Sequence, residues 1–438
     1  MRAGDPGWTT RAWSPRSVNP LPIYDLIVIG SGYTGLATAF YMARHGNSVL
    51  VLDRSDLSEA ASARNAGFCT VSPPVGLDAL RAGGADVVRA WYRWFESATD
   101  HCEELTGTFS DSDQKAIDFG RVGNIRLAQT QAQSEALQRQ AEDLRRLGVS
   151  RQYLQADELD MPSGNVFSGG LYDERSARLN PGAMHITLAE ACQREGVDFQ
   201  LLTEAQKVDL ENGVLVVATP NDRLRGRKVV VATNGYSNAT VPPFRQILFS
   251  VGSFLIRTRP LKSGRHLGAL GQGRCHATSF RFPHYFRLTP QNELLFGGRA
   301  SLSTEANIPS CADWLLRQAR HLLPDAEIPS VANCWGGRLG FAFDKRPLFG
   351  RVNTNLYYAM GYAGHGVPTS LALGRELSRR ILDHQIADPA PFWCPEYDPP
   401  KALPFLQRHM LPVAQTALRL MDRADRTRDL FQPRTKSI

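Results

Sequence analysis

Cysteine is scarce and unpatterned here: seven residues, Cys69, Cys102, Cys192, Cys275, Cys311, Cys334 and Cys394, odd in number and without a C-x-x-C pair. That argues against a disulfide framework and against a zinc or other metal site, and it fits thiols kept reduced in a cytoplasmic setting. Long hydrophobic runs are missing as well. No stretch approaches the roughly 18 to 20 consecutive apolar residues of a membrane helix. Residues 1–22 mix Arg, Asp, Pro and Trp without the apolar centre of a signal peptide, so they read as an irregular arm. No internal repeat or low-complexity tract is present. Arginines cluster at the two ends, in Arg2, Arg11 and Arg16 and again in Arg408, Arg419, Arg423, Arg426, Arg428 and Arg434, within a formal net charge of +7. Solvated arms are the ordinary reading of such ends. An acidic partner, a membrane surface or an anionic substrate are the others, and Leu411 to Leu420 carries apolar residues at helical spacing with basic flanks. Nucleic acid is not expected.

Bulk and glycine are what the chain has. Its 438 residues suggest two domains, and 42% hydrophobic residues can fill a sizeable core. Directly after the apolar run Leu26 to Ile29 comes Gly30-Ser31-Gly32-Tyr33-Thr34-Gly35, and a helical stretch, Leu36 to His45, follows. This is the pattern of a dinucleotide-binding turn. The first glycine makes the turn, the second lets the backbone approach a pyrophosphate, the third lets helix pack on strand, and the helix amino terminus offers N–H groups to phosphate. A second apolar strand, Ser48 to Leu52, ends in Asp53, at the spacing where an acid meets ribose hydroxyls. A carboxylate there would repel a 2′-phosphate, so the ligand reads as FAD or NAD.

Farther along, Ala60 to Gly67 is a small-residue stretch with Arg64 and Asn65, suited to backbone lying against a flat ligand. The periodicity predicts helices over about 78–105, 134–147, 181–195 and 369–382, a strand at Gly123 to Ala128, and a hairpin turning at Asn212-Gly213. Arg227 to Gly235, with its run Val229-Val230-Val231-Ala232, reads as a buried parallel strand returning to the nucleotide sheet. From about Phe244 to Asn333 the pattern is β-rich, with strands at 249–258, 284–288 and 294–298. The chain is then expected to re-enter the first domain through Trp335-Gly336-Gly337-Arg338 and the strand 355–360, followed by Gly361 to Val367.

Four separated motifs, the βαβ unit, Ala61 to Gly67, Val231-Ala232-Thr233-Asn234-Gly235-Tyr236, and Trp335-Gly336-Gly337 with Gly361 to Gly366, together resemble the glycine oxidase and D-amino-acid oxidase group of FAD-dependent amine oxidoreductases. The resemblance spans about residues 24–386, and the gamma-glutamylputrescine oxidase branch looks most similar. It implies an α/β fold with a discontinuous, Rossmann-like (glutathione-reductase-like) FAD-binding domain over 23–77, 151–243 and 334–386. A β-rich α+β substrate domain would take 78–150 and 244–333, and 387–438 would form a basic tail. It also implies an FAD site. Asp53, with Arg54 beside it, would bind the adenosine ribose; Ser62, Ala63, Arg64, Asn65, Ala66 and Gly67 would lie along pyrophosphate and isoalloxazine; Thr233 and Asn234 would close the return strand. Gly361, Gly364, His365, Gly366 and Val367 would bring N–H groups to the flavin N1/C2 edge. Where some relatives carry a linking His this chain has Asn65, and the position of a linking Cys falls on Gly337, so dissociable FAD is expected. The lysine that sarcosine oxidases place after the late turn is here Pro368.

Flavin amine oxidation asks little of side chains, so the candidates are few. Arg338 could fork onto a substrate carboxylate or form a structural ion pair. Arg287 could hold an anionic group or be a strand-surface charge. His365 could tune the amine's protonation or oxygen reactivity, or be a satisfied turn histidine. Tyr285 and Tyr362 could wall the pocket or belong to the core. The function expected is oxidation of an amine or amino acid with O2 as acceptor. A dehydrogenase passing electrons to a quinone or carrier, an NAD-dependent dehydrogenase, and a flavin-bearing accessory protein are the alternatives. The NAD reading is disfavoured by the returning strand and the late glycine turn.

Overall fold

The computed structural model describes residues 1–395, except 9, 10, 17, 18, 238–247, 263, 265, 266, 304 and 343. Leu411 to Leu420 and the arginines beyond it lie outside the described residues. A parallel sheet forms around the glycine turn, in the order Asp198–Gln200, Val49–Leu52, Tyr24–Ile29, Arg223–Val231 and Leu356–Met360. Strand Leu348–Arg351 closes it antiparallel. The apolar run 229–231 does return to this sheet, pairing Val229 with Ile27 and Val231 with Ile29. Helices Tyr33–Arg44, Pro181–Arg194 and Gly366–Ile381 cover one face. The hairpin Lys207–Glu211/Val214–Ala218, turned by Asn212 with φ 50° and Gly213, flanks strand 223–231, and its inner residues join the core on the other face.

Gly35 shows how tightly the first unit is assembled. A Cβ there would sit 1.9 Å from the Gly30 carbonyl oxygen, so helix and strand reach this approach only with glycine.

The second sheet has nine strands in the order Arg2–Ala3, Val331–Phe341, Phe249–Pro260, Glu293–Gly298, Tyr285–Leu288, Cys275–Thr278, Asn124–Ala128, Gly169–Asp173 and Gln152–Leu154. One face is apolar, with Ile125, Leu127, Phe254, Phe286 and Phe296 buried under helix Ile308–Leu322. The other face looks toward the nucleotide-binding layer.

These sheets divide the chain at other residues than the sequence suggests. Residues 169–173 pair with strand 124–128, and 152–154 pair with 169–173 in turn, so both belong to the second sheet. Trp335-Gly336-Gly337-Arg338 lies within the long strand 331–341 of that same sheet, not in a re-entry to the first. The predicted helix over 78–105 is broken at Gly83-Gly84 into Leu77–Arg81 and Ala85–Gly107, and its Trp91 and Phe95 pack into the core of the nucleotide layer. The N-terminal arm is docked rather than solvated. Trp13 meets Phe199 edge-on at 5.2 Å, Trp8 meets Trp335 at 6.3 Å, and Arg11 pairs with Asp113 at 2.8 Å and with Glu190.

Candidate functional site

One elongated cavity runs from the end of strand 49–52 to the start of helix 366–381. Gly30, Gly32, Tyr33, Thr34, Asp53 and Arg54 line one end; Ser62, Asn65, Thr233 and Asn234 the middle; Gly364, Gly366 and Val367 the other.

At the first end the Asp53 carboxylate accepts from the Ser31 N–H and hydroxyl, both at 2.7 Å, and from the Ser55 N–H and hydroxyl, both at 3.0 Å. Ser31 is fully buried, and its carbonyl meets His185 Nε2 at 2.7 Å. The acid is thereby fixed across the mouth of the turn. Gly35 packs behind it and does not line the cavity.

The middle is built from residues far apart in sequence. Ala61–Arg64 is a single helical turn, and the Ser62 hydroxyl accepts from the Tyr33 N–H at 2.9 Å, tying this segment to the phosphate turn. Asn65 donates to the Ala61 and Ser62 carbonyls and accepts from the Gly67 N–H, so its amide is spent on holding the turn. Ala63 and Ala66 are buried, and Gly67 (φ 74°) lies against the Leu179 carbonyl. Arg64 does not reach the cavity. Its guanidinium donates to the Gly336 and Gly4 carbonyls, each at 2.8 Å.

At the far end Asn234, itself left-handed at φ 45°, accepts the Gly361 N–H at 2.8 Å, linking the return strand to the late turn. Gly364 has φ 92° and open space where a Cβ would stand, so bare backbone faces the cavity. Helix 366–381 starts there without a side-chain cap, which leaves its first N–H groups to a ligand. Pro368, where sarcosine oxidases have lysine, has no N–H to give. The Tyr362 hydroxyl meets Thr34 Oγ1 at 2.5 Å, so this tyrosine braces helix 33–44. An elongated cavity with an acid at the ribose end, glycine backbone along it and a helix amino terminus at the other end fits FAD.

The substrate candidates fare differently. Arg287 is not a strand-surface charge: it is 2% exposed, and it donates to the Ala66, Leu288 and Leu179 carbonyls at 2.8, 3.2 and 2.9 Å. Burial lowers its pKa to about 10, and its place is that of a cross-tie under the 61–67 segment. Arg338 does not line the cavity, although Leu339 and Gly340 do. Its guanidinium lies 5.6 Å from the Tyr236 ring, with Arg54 at the same distance, and no carboxylate pairs with it among the described residues. The ion pair considered for it is therefore not formed there. Tyr285 hydrogen-bonds Ser253 at 2.9 Å and stands edge-on to Phe68, on the sheet face toward the nucleotide layer. His365 precedes helix 366–381, with Nδ1 unpartnered among the described residues. Burial first, then Lys345, Arg126 and Arg299, lower its pKa to about 4, so it is neutral at pH 7.

Arg126 went unnoticed in the sequence. It shares the sheet row Arg126–Ala277–Tyr285–Gly297, so it faces the same side as Tyr285. One N–H donates to the Gln140 side chain, and among the described residues buried Nε has no partner and no acid pairs with the guanidinium. The signal was the alternation of Asn124-Ile125-Arg126-Leu127, which places Arg126 opposite the apolar face.

Residues 25–380 match the family of FAD-dependent oxidoreductases described as DAO, and the chain belongs to it. It is therefore an FAD-dependent oxidoreductase. Among its relatives is a probable oxidoreductase OrdL of Haemophilus influenzae, 28% identical over 82% of this chain and 83% of that one. A gamma-glutamylputrescine oxidoreductase of Escherichia coli is 27% identical over 82% and 83%. The crystal structure of glycine oxidase from Geobacillus kaustophilus shares the fold, with a TM-score of 0.73 over 86% of this chain and 99% of that one, at 20% identity.

Proposed function

We propose that this enzyme oxidises an amine or amino acid that carries a carboxylate, with O2 as the electron acceptor, in a cytoplasmic setting. The observation that carries the reading is Arg126, an arginine with no carboxylate partner among the described residues, on the sheet face that also bears Tyr285. Leaving a buried charge unpaired is costly, and a substrate carboxylate would supply the counter-ion. FAD, when bound, supplies a hydride acceptor for the α C–H of the amine, and the resulting imine hydrolyses to an aldehyde or keto acid. The chain's own part is to hold Asp53 and the turn 364–367 at the two ends of the cofactor, and to keep the substrate side cationic. Nearby positive charge disfavours an ammonium group, so Arg126 and Arg299 would favour the neutral amine that hydride transfer needs. Names among the relatives, glycine oxidase and gamma-glutamylputrescine oxidoreductase, support this substrate class.

Anaerobic mixing of the purified yellow protein with a panel of amines and amino acids tests the reading through loss of flavin absorbance. Carboxylate-bearing amines should bleach the flavin, and admitting air should restore it. Bleaching that only a quinone reverses would move the acceptor to a membrane or carrier pool, and no bleaching by any amine would favour an accessory role. Arg126→Gln should raise KM for carboxylate-bearing amines about tenfold, the loss of one charged hydrogen bond being ~1.5 kcal/mol, and leave neutral amines unchanged. Arg338→Lys should leave that ratio alone, since the Arg338 guanidinium lies against the Tyr236 ring rather than on the sheet face that bears Tyr285.

FAD should be held without a covalent bond. Cys334 is fully buried on the apolar face of its strand, its thiol pushed up to about 12, and Asn65 has no nucleophile. Acid precipitation should leave yellow FAD in the supernatant, and colour that stays with the pellet would refute this.

A further inference from the structure

A second cleft opens at the opposite ends of helices 33–44 and 366–381 from the cofactor cavity. Its wall includes Tyr41, Arg44, His45, Arg375, Arg379 and His384. Among the described residues Arg44 and Arg379 have no carboxylate partner; Arg375 has one, Glu104 at 3.3 Å, itself largely exposed. Cations near helix carboxyl ends are ordinary, because each end carries about half a negative charge. Here the supply exceeds that need. Two helix ends and Glu104 amount to about two negative charges against three permanent cations, and His45 and His384, with rings 5.2 Å apart, add more positive charge when protonated. The surplus reaches inward. Buried His101, 3.5 Å from the Tyr41 hydroxyl, has its pKa lowered to about 3, by burial first and then by Arg375 and Arg379.

We propose that this cleft binds a small phosphorylated anion carrying two or more negative charges, gripped between Arg44 on one helix and Arg375 and Arg379 on the other. Planar guanidinium groups suit phosphate oxygens, and a concave wall with surplus positive charge favours a small ligand over a flat protein face. The two helices pack side by side, and their amino ends bear Tyr33, Thr34, Gly366 and Val367 of the cofactor cavity. An anion bridging them would therefore steady the FAD site from behind.

Inorganic phosphate and pyrophosphate titrated into the FAD-loaded enzyme, at ionic strength held constant with chloride, test this. Pyrophosphate should bind one to one, tighter than phosphate, and raise the melting temperature. Arg44→Gln with Arg379→Gln should weaken it at least tenfold, while Arg44→Lys with Arg379→Lys should retain most of the binding and confirms that charge, not fold, was lost. Equal affinity in the Gln variant would overturn the proposal. So would absence of binding up to millimolar pyrophosphate, or binding seen only with vesicles containing anionic lipid or with an acidic protein.

Discussion

Asp53→Ala should release FAD. The wild-type carboxylate is held by four donors from Ser31 and Ser55 and stands at the end of the cavity where the ribose is expected. Losing a charged hydrogen bond costs about 1.5 to 3 kcal/mol, or roughly 10- to 150-fold in the dissociation constant of FAD. Because Asp53 and the turn 364–367 line opposite ends of the cavity, turnover of the FAD-saturated variant should change by less than about twofold. Titrating apoenzyme with FAD by flavin fluorescence measures the first quantity, and assays at saturating FAD the second. Unaltered FAD affinity would remove Asp53 from the site. Asp53→Asn keeps one acceptor oxygen and should fall between the two.

The second large effect is acid lability. His101, His185 and His276 are buried and held below their ordinary pKa, chiefly by burial, His101 and His276 at about 3. Folded, they stay neutral; the unfolded chain takes up a proton at each once the pH drops below about 6.5. Their contribution is thus complete above that pH and is lost as the pH falls from about 6.5 toward 3. The slope is at most ~1.4 kcal/mol per histidine per pH unit, or ~4 kcal/mol per unit for three. Against a typical total stability of ~5–15 kcal/mol, unfolding should set in between pH 6 and 4. Denaturant midpoints measured from pH 7 to pH 4 will show it. His276 stacks on Phe286 with centroids 5.2 Å apart, so His276→Phe should flatten the slope by about a quarter, His365 at about 4 adding to the three, and an unchanged slope would exonerate it.

Both effects turn on residues with different legibility in the sequence. Asp53 could be read directly, because glycine spacing, strand and acid form one local unit whose geometry the chain cannot vary much. The return of 229–231 was legible for a similar reason: an uninterrupted apolar strand needs cover on both faces. Trp335 to Arg338 was not. Glycines at 336 and 337 carry no side chain to display a two-residue period, so membership of the antiparallel sheet leaves no mark. Arg287 misled because a charge in a strand reads as exposure, whereas the 61–67 segment, brought from afar, covers it and supplies carbonyls. Arg126 had its signal in plain alternation, but which face looks toward the cofactor is decided only when the two sheets meet. Trp8 and Trp13 gave no periodic pattern, so their docking could not be foreseen.

The bond from the Asn234 side chain to the Gly361 N–H bears on how the enzyme is made. The cofactor cavity gathers residues near positions 30, 60, 234 and 364, so its two ends are synthesised more than three hundred residues apart. At about 5 to 20 residues per second, the ribosome needs roughly 15 to 70 s between making Tyr33 and making Gly366. During that interval the glycine turn is exposed with no partner for its far wall. A complete FAD site therefore forms only after residues 364–367 have been made, and chains truncated before residue 361 should bind FAD far more weakly than the full chain.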